Sequence, residues 1–321
     1  EESGKDFAKR LMDEKYGPGK KFDLFPAIGV GWTPSNEAFM KDLDWVNKLK
    51  FRGSYGIIGS DRGGSRFQYQ QSWASGGASF IQSGQGQSNQ QSPYAFFRQE
   101  NVGNPDLQWE TATKYNVALE FGLFNNLISG EIDYFYEEHS NLLIPGSQRA
   151  VPDWFGASPP AFNRGEVEVR GFEIVLGANH TFGNGLNIFG NFNFTQAKDV
   201  VIDREDPELR PFYQKAAGYT IGQPRSAIPG NIIGSLDDLY SSTPRVNGQG
   251  NIRTGYYNLL DYDGDGVYNG DFDNVPFGFP VRPQRNWAAT VGAKYKGWKL
   301  SVQFYGTQNA NRTYTSRTFS N

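Results

Sequence analysis

The stretch NPDLQWETATKYNVALEFGLFNN at residues 104–126, continuing through Leu127 into ISGEIDYFYEEHSNLLI at 128–144, decides the fold. Tyr115, Val117, Leu119, Phe121 and Leu123 alternate with Asn116, Ala118, Glu120 and Gly122. Ile128, Gly130, Ile132, Tyr134 and Tyr136 alternate with Ser129, Glu131 and Asp133 in the same way. A period of two places each set on one face of a strand. Asn125-Asn126 lies between the two runs, and asparagine tolerates positive φ, so the pair predicts a two-residue hairpin turn.

The pattern repeats on both sides of this hairpin. Upstream, Pro26, Ile28, Val30 and Trp32 form one apolar face, and Leu49, Phe51, Gly53, Tyr55 and Ile57 another. Downstream, Phe172, Ile174, Leu176 and Ala178 lead through Gly183-Asn184-Gly185 into Leu186, Ile188, Gly190, Phe192 and Phe194. Trp287, Ala289, Val291, Ala293 and Tyr295 cross Gly297 to Trp298, Leu300, Val302 and Phe304. Period counting therefore predicts about eight strands. Tight turns at 125–126, 183–185 and 297 are interleaved with long connections at 58–112, 138–167 and 197–285. Short turns at one end and long loops at the other are the asymmetry of an outer-membrane barrel. The segment TPSNEAFMKDLDWVN at 33–47 is long for the short-turn end and is expected to carry a helical turn around Glu37 to Leu43.

Composition agrees with an all-β chain: 321 residues hold 39 Gly, 25 Phe, 17 Tyr and 7 Trp, a balance that favours strands and turns. The formal net charge of -3 supplies no basic field to collect phosphates, so nucleic acid is not an expected partner. With no cysteine, disulfides, thiolate zinc sites and cysteine nucleophiles are excluded. No apolar run is long enough to cross a bilayer as a helix, whereas a mean hydropathy of -0.60 suits alternating barrel strands. A soluble β-sandwich would show the same alternation, but such long connections are unusual unless functional.

Several segments, in order, resemble one family. FPAIGVGWTPSNEAF at 25–39 followed by LKFRGSYGIIG at 49–59, the 104–144 stretch, NRGEVEVRGFEI at 163–174 and LLDYDGDGVYNGDFD at 259–273 are similar to the C-terminal half of the barrel in SusC/RagA-like TonB-dependent outer-membrane transporters. The resemblance implies an antiparallel transmembrane β-barrel, of which residues 1–321 supply about eight strands with long extracellular loops. Residues 1–20 are read as the end of one such loop and 307–321 as the start of another. TonB box, plug domain, earlier strands and closing strands are not in the sequence, so the chain is expected to be a fragment of a larger barrel set in outer-membrane lipid. The implied activity is TonB-dependent import of an oligosaccharide or peptide in a Gram-negative bacterium. A SusD-like surface lipoprotein would serve as lid, and the TonB complex would act through the missing parts. The other function class is a soluble or surface β-sandwich that binds glycans or adheres and is stabilised by calcium; a passive porin-like channel is disfavoured by the long loops and the family signatures.

Candidate chemistry is sparse. Asp261, Asp263, Asp265, Val267, Asn269 and Asp271 follow a calcium-loop spacing, with hard oxygens at alternate positions, Gly266 at the sharp turn and a backbone carbonyl at Val267. The twelfth position is Phe272, so Asp271 or Asp273 must replace the usual bidentate acid. Trp73, Trp154, Phe155, Tyr256 and Tyr257, in the long loops, offer rigid faces with polar edges for a sugar or an apolar ligand group. Lys50, Arg52, Glu120, Glu131 and Asp133 are expected to point into a hydrated lumen. His139, at an outer strand end, and His180, inside another strand, make a poor catalytic or metal pair. Glu137-Glu138 is read as a strand end rather than a pair of glycosidase acids. No enzymatic activity is expected.

Overall fold

The computed structural model describes residues 14–62, 64–78, 95–152, 154, 156, 159–246 and 252–312. In chain order the strands are β1 (Ala27–Trp32), β2 (Val46–Ser60), β3 (Ser72–Ala78), β4 (Ala95–Asn101), β5 (Glu110–Leu123), β6 (Ile128–Ile144), β7 (Phe162–Thr181), β8 (Asn187–Asp203), β9 (Arg225–Ser226), β10 (Pro229–Ile232), β11 (Tyr257–Leu259), β12 (Val275–Pro276), β13 (Arg285–Tyr295) and β14 (Trp298–Gln308). A short helix, α1 (Leu236–Tyr240), is closed by a capping box in which Ser235 and Asp238 bond each other's backbone N–H. An eight-stranded antiparallel sheet in the order β1-β2-β5-β6-β7-β8-β13-β14 carries the chain, and the pairs β3-β4, β9-β12 and β10-β11 sit in its connections.

Register shows why the alternation holds. Trp32 pairs with Phe51, Phe51 with Leu119, Leu119 with Ile132, Ile132 with Ile174, Ile174 with Phe194, and Phe194 with Trp287. Cross-strand partners share a face, so this row is one line of apolar side chains across seven strands, reaching Gly306 on the eighth. The same face remains exposed: Ile28, Val30, Val117, Tyr134, Val291, Leu300 and Phe304 all stand in the open. Among the described residues no second sheet covers it, which overturns the β-sandwich reading: a sandwich buries this face.

The apolar band is bounded by aromatic rings. Tyr55, Tyr115 and Tyr136 form a ladder, with ring centroids 5.1 and 6.0 Å apart, toward the long-loop end. Trp45 stacks on Phe124 at 5.9 Å at the short-turn end. From Ile128 to Tyr136 the band follows nine positions of β6, within the ~9–11 residues that a tilted strand needs to cross a bilayer. Beyond it, the outward row passes to Arg170 and Lys198, so the strands of 17 and 20 residues project past the apolar zone.

Several expected boundaries shift. The long connections between strands of the large sheet are 61–109, 145–161 and 204–284, because β2, β5, β6, β7 and β8 run further than apolar alternation indicates. The polar ends of these strands stay in the ladder through backbone bonds that their side chains do not announce. The first connection also holds its own hairpin, β3-β4. The Asn125-Asn126 turn is a four-residue one: Leu123 pairs with Ile128, and Phe124, Asn125 and Asn126 all have positive φ. By contrast, Lys296-Gly297 is a two-residue turn with both φ values positive, the form that matches strand twist. In place of the helical turn around Glu37 to Leu43 stand two 3-10 turns, Pro34–Asn36 and Ala38–Met40.

Burial concentrates at the long-loop end. Tyr16, 4% exposed, stacks on Trp109 at 5.3 Å beside buried Leu107, and burial, with Asp61 and Glu110 nearby, pushes its hydroxyl up to about 12. Tyr213, Ile233, Tyr268 and Val275, all in the connection that follows β8, are buried as well. The connections thus carry hydrophobic centres of their own.

Candidate functional site

The sheet's other face is polar and ion-paired. Lys48 and Lys50 reach Glu120 at 2.5 and 3.1 Å, and Arg52 lies 3.1 Å from both Glu120 and Asp133 and also contacts Glu131. The expected inward set of Lys50, Arg52, Glu120, Glu131 and Asp133 is therefore brought together as one cluster across β2, β5 and β6. Partly exposed pairs of this kind add little stability one by one, and their main effect is a wetted, charge-balanced wall.

Toward the long-loop end the same face turns apolar. His139 pairs with Val167 and Val167 with Val201, and both valines are buried. They are covered by the connection that follows β8. Val201 donates its N–H to the Tyr219 carbonyl at 2.8 Å and accepts from Gly218 at 2.8 Å. Asp199 takes the Thr220 hydroxyl at 2.6 Å and the Ile221 N–H at 2.5 Å. Asp206 accepts the N–H groups of Ala216 and Ala217, at 2.8 and 2.9 Å. Arg225 donates to the carbonyls of Tyr213 and Lys215 and lies over the Tyr219 ring. Residues 204–225 thus fold back over the polar face and enclose a cavity of about 460 Å³ above Val167 and Val201. One end of that cover is clamped by Arg149, which binds both oxygens of Glu205 at 2.9 Å. The guanidinium lowers the Glu205 carboxyl below the usual range, and the carboxylate in turn raises the proton affinity of Arg149.

Residues 261–273 close on themselves. Asp261 accepts from Gly264 and Gly266, both at 2.7 Å, Asp263 from Asp265 at 3.2 Å, and Asp265 from Val267 at 2.9 Å. Gly264 and Gly266 have φ of 80° and 93°, which only glycine adopts without strain. One carboxylate oxygen from each of Asp261, Asp263 and Asp265 lies within 4.8 Å of the others. Asp273, considered above as a substitute ligand, is fully buried and takes the N–H groups of Tyr262, Asp263 and Asn269 at 2.6, 3.3 and 2.6 Å. It knits the loop from beneath. The Asp261 carboxyl is held low by the Gly266 N–H, whereas desolvation and the neighbouring Asp265 and Asp273 push Asp263 up.

Of the loop aromatics, Trp73 stands on β3 and Trp154 in the 145–161 connection, both exposed. Tyr256 and Tyr257 lie at β11, where their carbonyls accept from Ile233 and Arg245 and their rings stay half in solvent. Phe155 lies outside the described residues. The cavity above Val167 is walled by other residues, and none of Trp73, Trp154, Tyr256 and Tyr257 lines it. His139 bonds Glu137 at 3.0 Å, while His180 is next to the end of β7, edge-on to Phe182. The two histidines are separated along β7 by roughly 40 Å at ~3.3 Å per residue, which rules out a shared site. Periodicity missed the cavity because Arg149 and Glu205, its clamp, lie far apart in sequence and no local pattern pairs them.

Residues 4–306 match the family described as TonB dependent receptor-like, beta-barrel. TonB-dependent receptor P39 of Formosa agariphila is 28% identical over 279 residues, 84% of this chain and 25% of that protein. TonB-dependent receptor SusC of Bacteroides thetaiotaomicron is 29% identical over 56% of this chain and 18% of its own length. Among solved structures, the RagAB peptide importer in its open-open state superposes with a TM-score of 0.65 at 19% identity, covering 92% of this chain and 30% of that one. The chain thus spans about a quarter of the P39 receptor. With the match across nearly its whole length and eight strands in barrel register, the chain belongs to the TonB-dependent receptor β-barrel family.

Proposed function

We propose that this chain forms part of the wall and the extracellular loops of an outer-membrane barrel that imports a nutrient, an oligosaccharide or a peptide, driven by TonB. A SusD-like lipoprotein closes over its long-loop end. The observation that carries the reading is the division of one eight-stranded sheet into an exposed apolar band and an ion-paired polar wall, in a chain of this family. Lipid is the solvent that tolerates the first face, and a hydrated lumen suits the second. The likeness to SusC and to a peptide importer supports transport rather than bond-breaking chemistry, and it supports a lid partner. Trp73, Trp154, Tyr256 and Tyr257 supply exposed aromatic surface for ligand or lid.

We propose further that the 261–273 loop takes calcium. Asp261, Asp263 and Asp265 crowd three carboxylates, the spacing assigns the Val267 carbonyl, Asn269 and Asp271 as further hard oxygens, and the raised Asp263 carboxyl marks negative charge that a cation would relieve. Its role in this reading is to order the loop.

Membrane extraction of the native source tests the proposal. The expected result is a heat-modifiable outer-membrane polypeptide containing these peptides and copurifying with a lipoprotein. Recovery in the soluble fraction would sink it.

A further inference from the structure

Three adjoining cavities lie along residues 204–225. A polar chamber of about 390 Å³ shares Arg204 and Arg225 with the 460 Å³ cavity, and that cavity shares Ile221 and Gly222 with a third of about 530 Å³. The result is one elongated groove. Its middle is walled by Val201, Tyr219 and Ile221. Arg204, Arg210 and Arg225 face the chamber at one end, and Arg282 faces the far cavity at the other.

The local carboxylates are largely committed elsewhere. Glu205 is held by Arg149, Asp203 pairs with Arg164 at 3.2 Å, and Asp206 and Asp199 are occupied by backbone N–H groups of the cover. Arg204 donates to the neutral Gln148 amide and Arg225 to two carbonyls. Among the described residues, none of Arg204, Arg210, Arg225 and Arg282 forms a salt bridge. Glu166 and Asp203 line the middle section and Asp199 the far cavity beside Arg282, so positive charge is in excess in the chamber, where Arg149, Arg204, Arg210 and Arg225 outnumber Glu205 and Asp206.

We propose that this groove selects an extended oligomer carrying carboxylates, an acidic member of the substrate range proposed above. One carboxylate sits among Arg204, Arg210 and Arg225, another at Arg282, and the less polar body lies against Val201, Tyr219 and Ile221. Planar guanidinium forks match carboxylate geometry, and the apolar floor holds the connecting units. The inference rests on the importer reading, in which the groove lies among the loops that meet the nutrient.

The test uses the full-length transporter purified from outer membranes and checked for heat-modifiable migration. Calorimetry would compare tetragalacturonate with maltotetraose, and end-blocked Glu-Ala-Ala-Glu with Gln-Ala-Ala-Gln. The expected result is that one acidic probe binds at least about tenfold tighter than its neutral counterpart, and that the sugar and peptide arms identify the source. Arg210→Gln and Arg282→Gln, which disturb no hydrogen bond of the cover, should each weaken that binding about tenfold. A heat-modifiable protein that binds no acidic probe in preference, or whose variants bind as the native protein does, overturns the groove and leaves the importer reading standing. Acid-selective binding by a protein found outside the outer membrane overturns the importer reading instead.

Discussion

Arg52 is the cation that Glu120, Glu131 and Asp133 share on the polar wall. Arg52→Ala leaves three neighbouring carboxylates with only the two lysines on Glu120, and the expected loss is about 1–2 kcal/mol, kept small because the cluster is partly exposed. Chemical unfolding in detergent checks it, and Asp133→Asn in the same background should restore part of the loss by removing one repelling charge. The acidic loop makes a pH prediction. Asp263 titrates above the ordinary aspartate value, so a metal-free loop is penalised at pH above that raised value and relieved as pH falls through it. Asp261 is held low, so its contribution is present above 3.8 and lost as pH falls through its depressed value. Calcium needs both ionised; its affinity should be flat near neutrality and begin to fall while Asp261 is still charged, as Asp263 takes up a proton. Terbium luminescence against pH reads this, and Asp263→Asn should weaken binding at least about tenfold, one ligand charge being lost. A loop that binds no cation at neutral pH would refute the calcium site.

At the scale of elements, the β6-β7-β8 register depends on Gly171. It lies opposite Phe135, and a Cβ there would collide with the Gln196 carbonyl and the Phe135 ring. Phe135 fills the space that the missing side chain leaves. Gly171→Val is expected to cost about 1–3 kcal/mol through overpacking and to lower the yield of folded barrel, measured as the heat-modifiable fraction after refolding. The turns are a different case. Gly297 has φ 85° and nothing within reach of a Cβ, so Gly297→Ala should cost only about 1 kcal/mol, all of it backbone strain. Equal damage from the two substitutions would show that packing at Gly171 is not what limits the register.

Across the whole molecule, the two faces answer to different solvents. Ile132 lies in the apolar row that crosses the sheet, and Ile132→Arg should cost about 2–4 kcal/mol in a bilayer, as a cation near the midplane does. Glu131→Gln, one residue away on the polar face, should cost less than about 1 kcal/mol, because its ion pair is partly hydrated. Folding titrations in lipid vesicles separate the two, and comparable effects would contradict the assignment of faces.

Alternation along Tyr115–Leu123 and Ile128–Tyr136 was enough to identify the strands, their two faces and the hairpins of the short-turn end, because a period of two is a local property of extended backbone. The calcium-type spacing of Asp261, Asp263 and Asp265 was legible for the same reason: neighbours in sequence become neighbours around one turn. Tertiary structure decided the rest. The polar extensions of β6, β7 and β8 are held by ladder bonds rather than by side-chain pattern, and a bulge at Asn141, with φ 56°, resets the register there. Asp273 reads as a spare ligand in sequence, yet burial makes it the structural acceptor of three N–H groups. The groove under residues 204–225 exists because Arg149 meets Glu205 and Asp199 meets Thr220. Which charges are neutralised and which stay free depends on partners from separate connections, and no local period records that pairing.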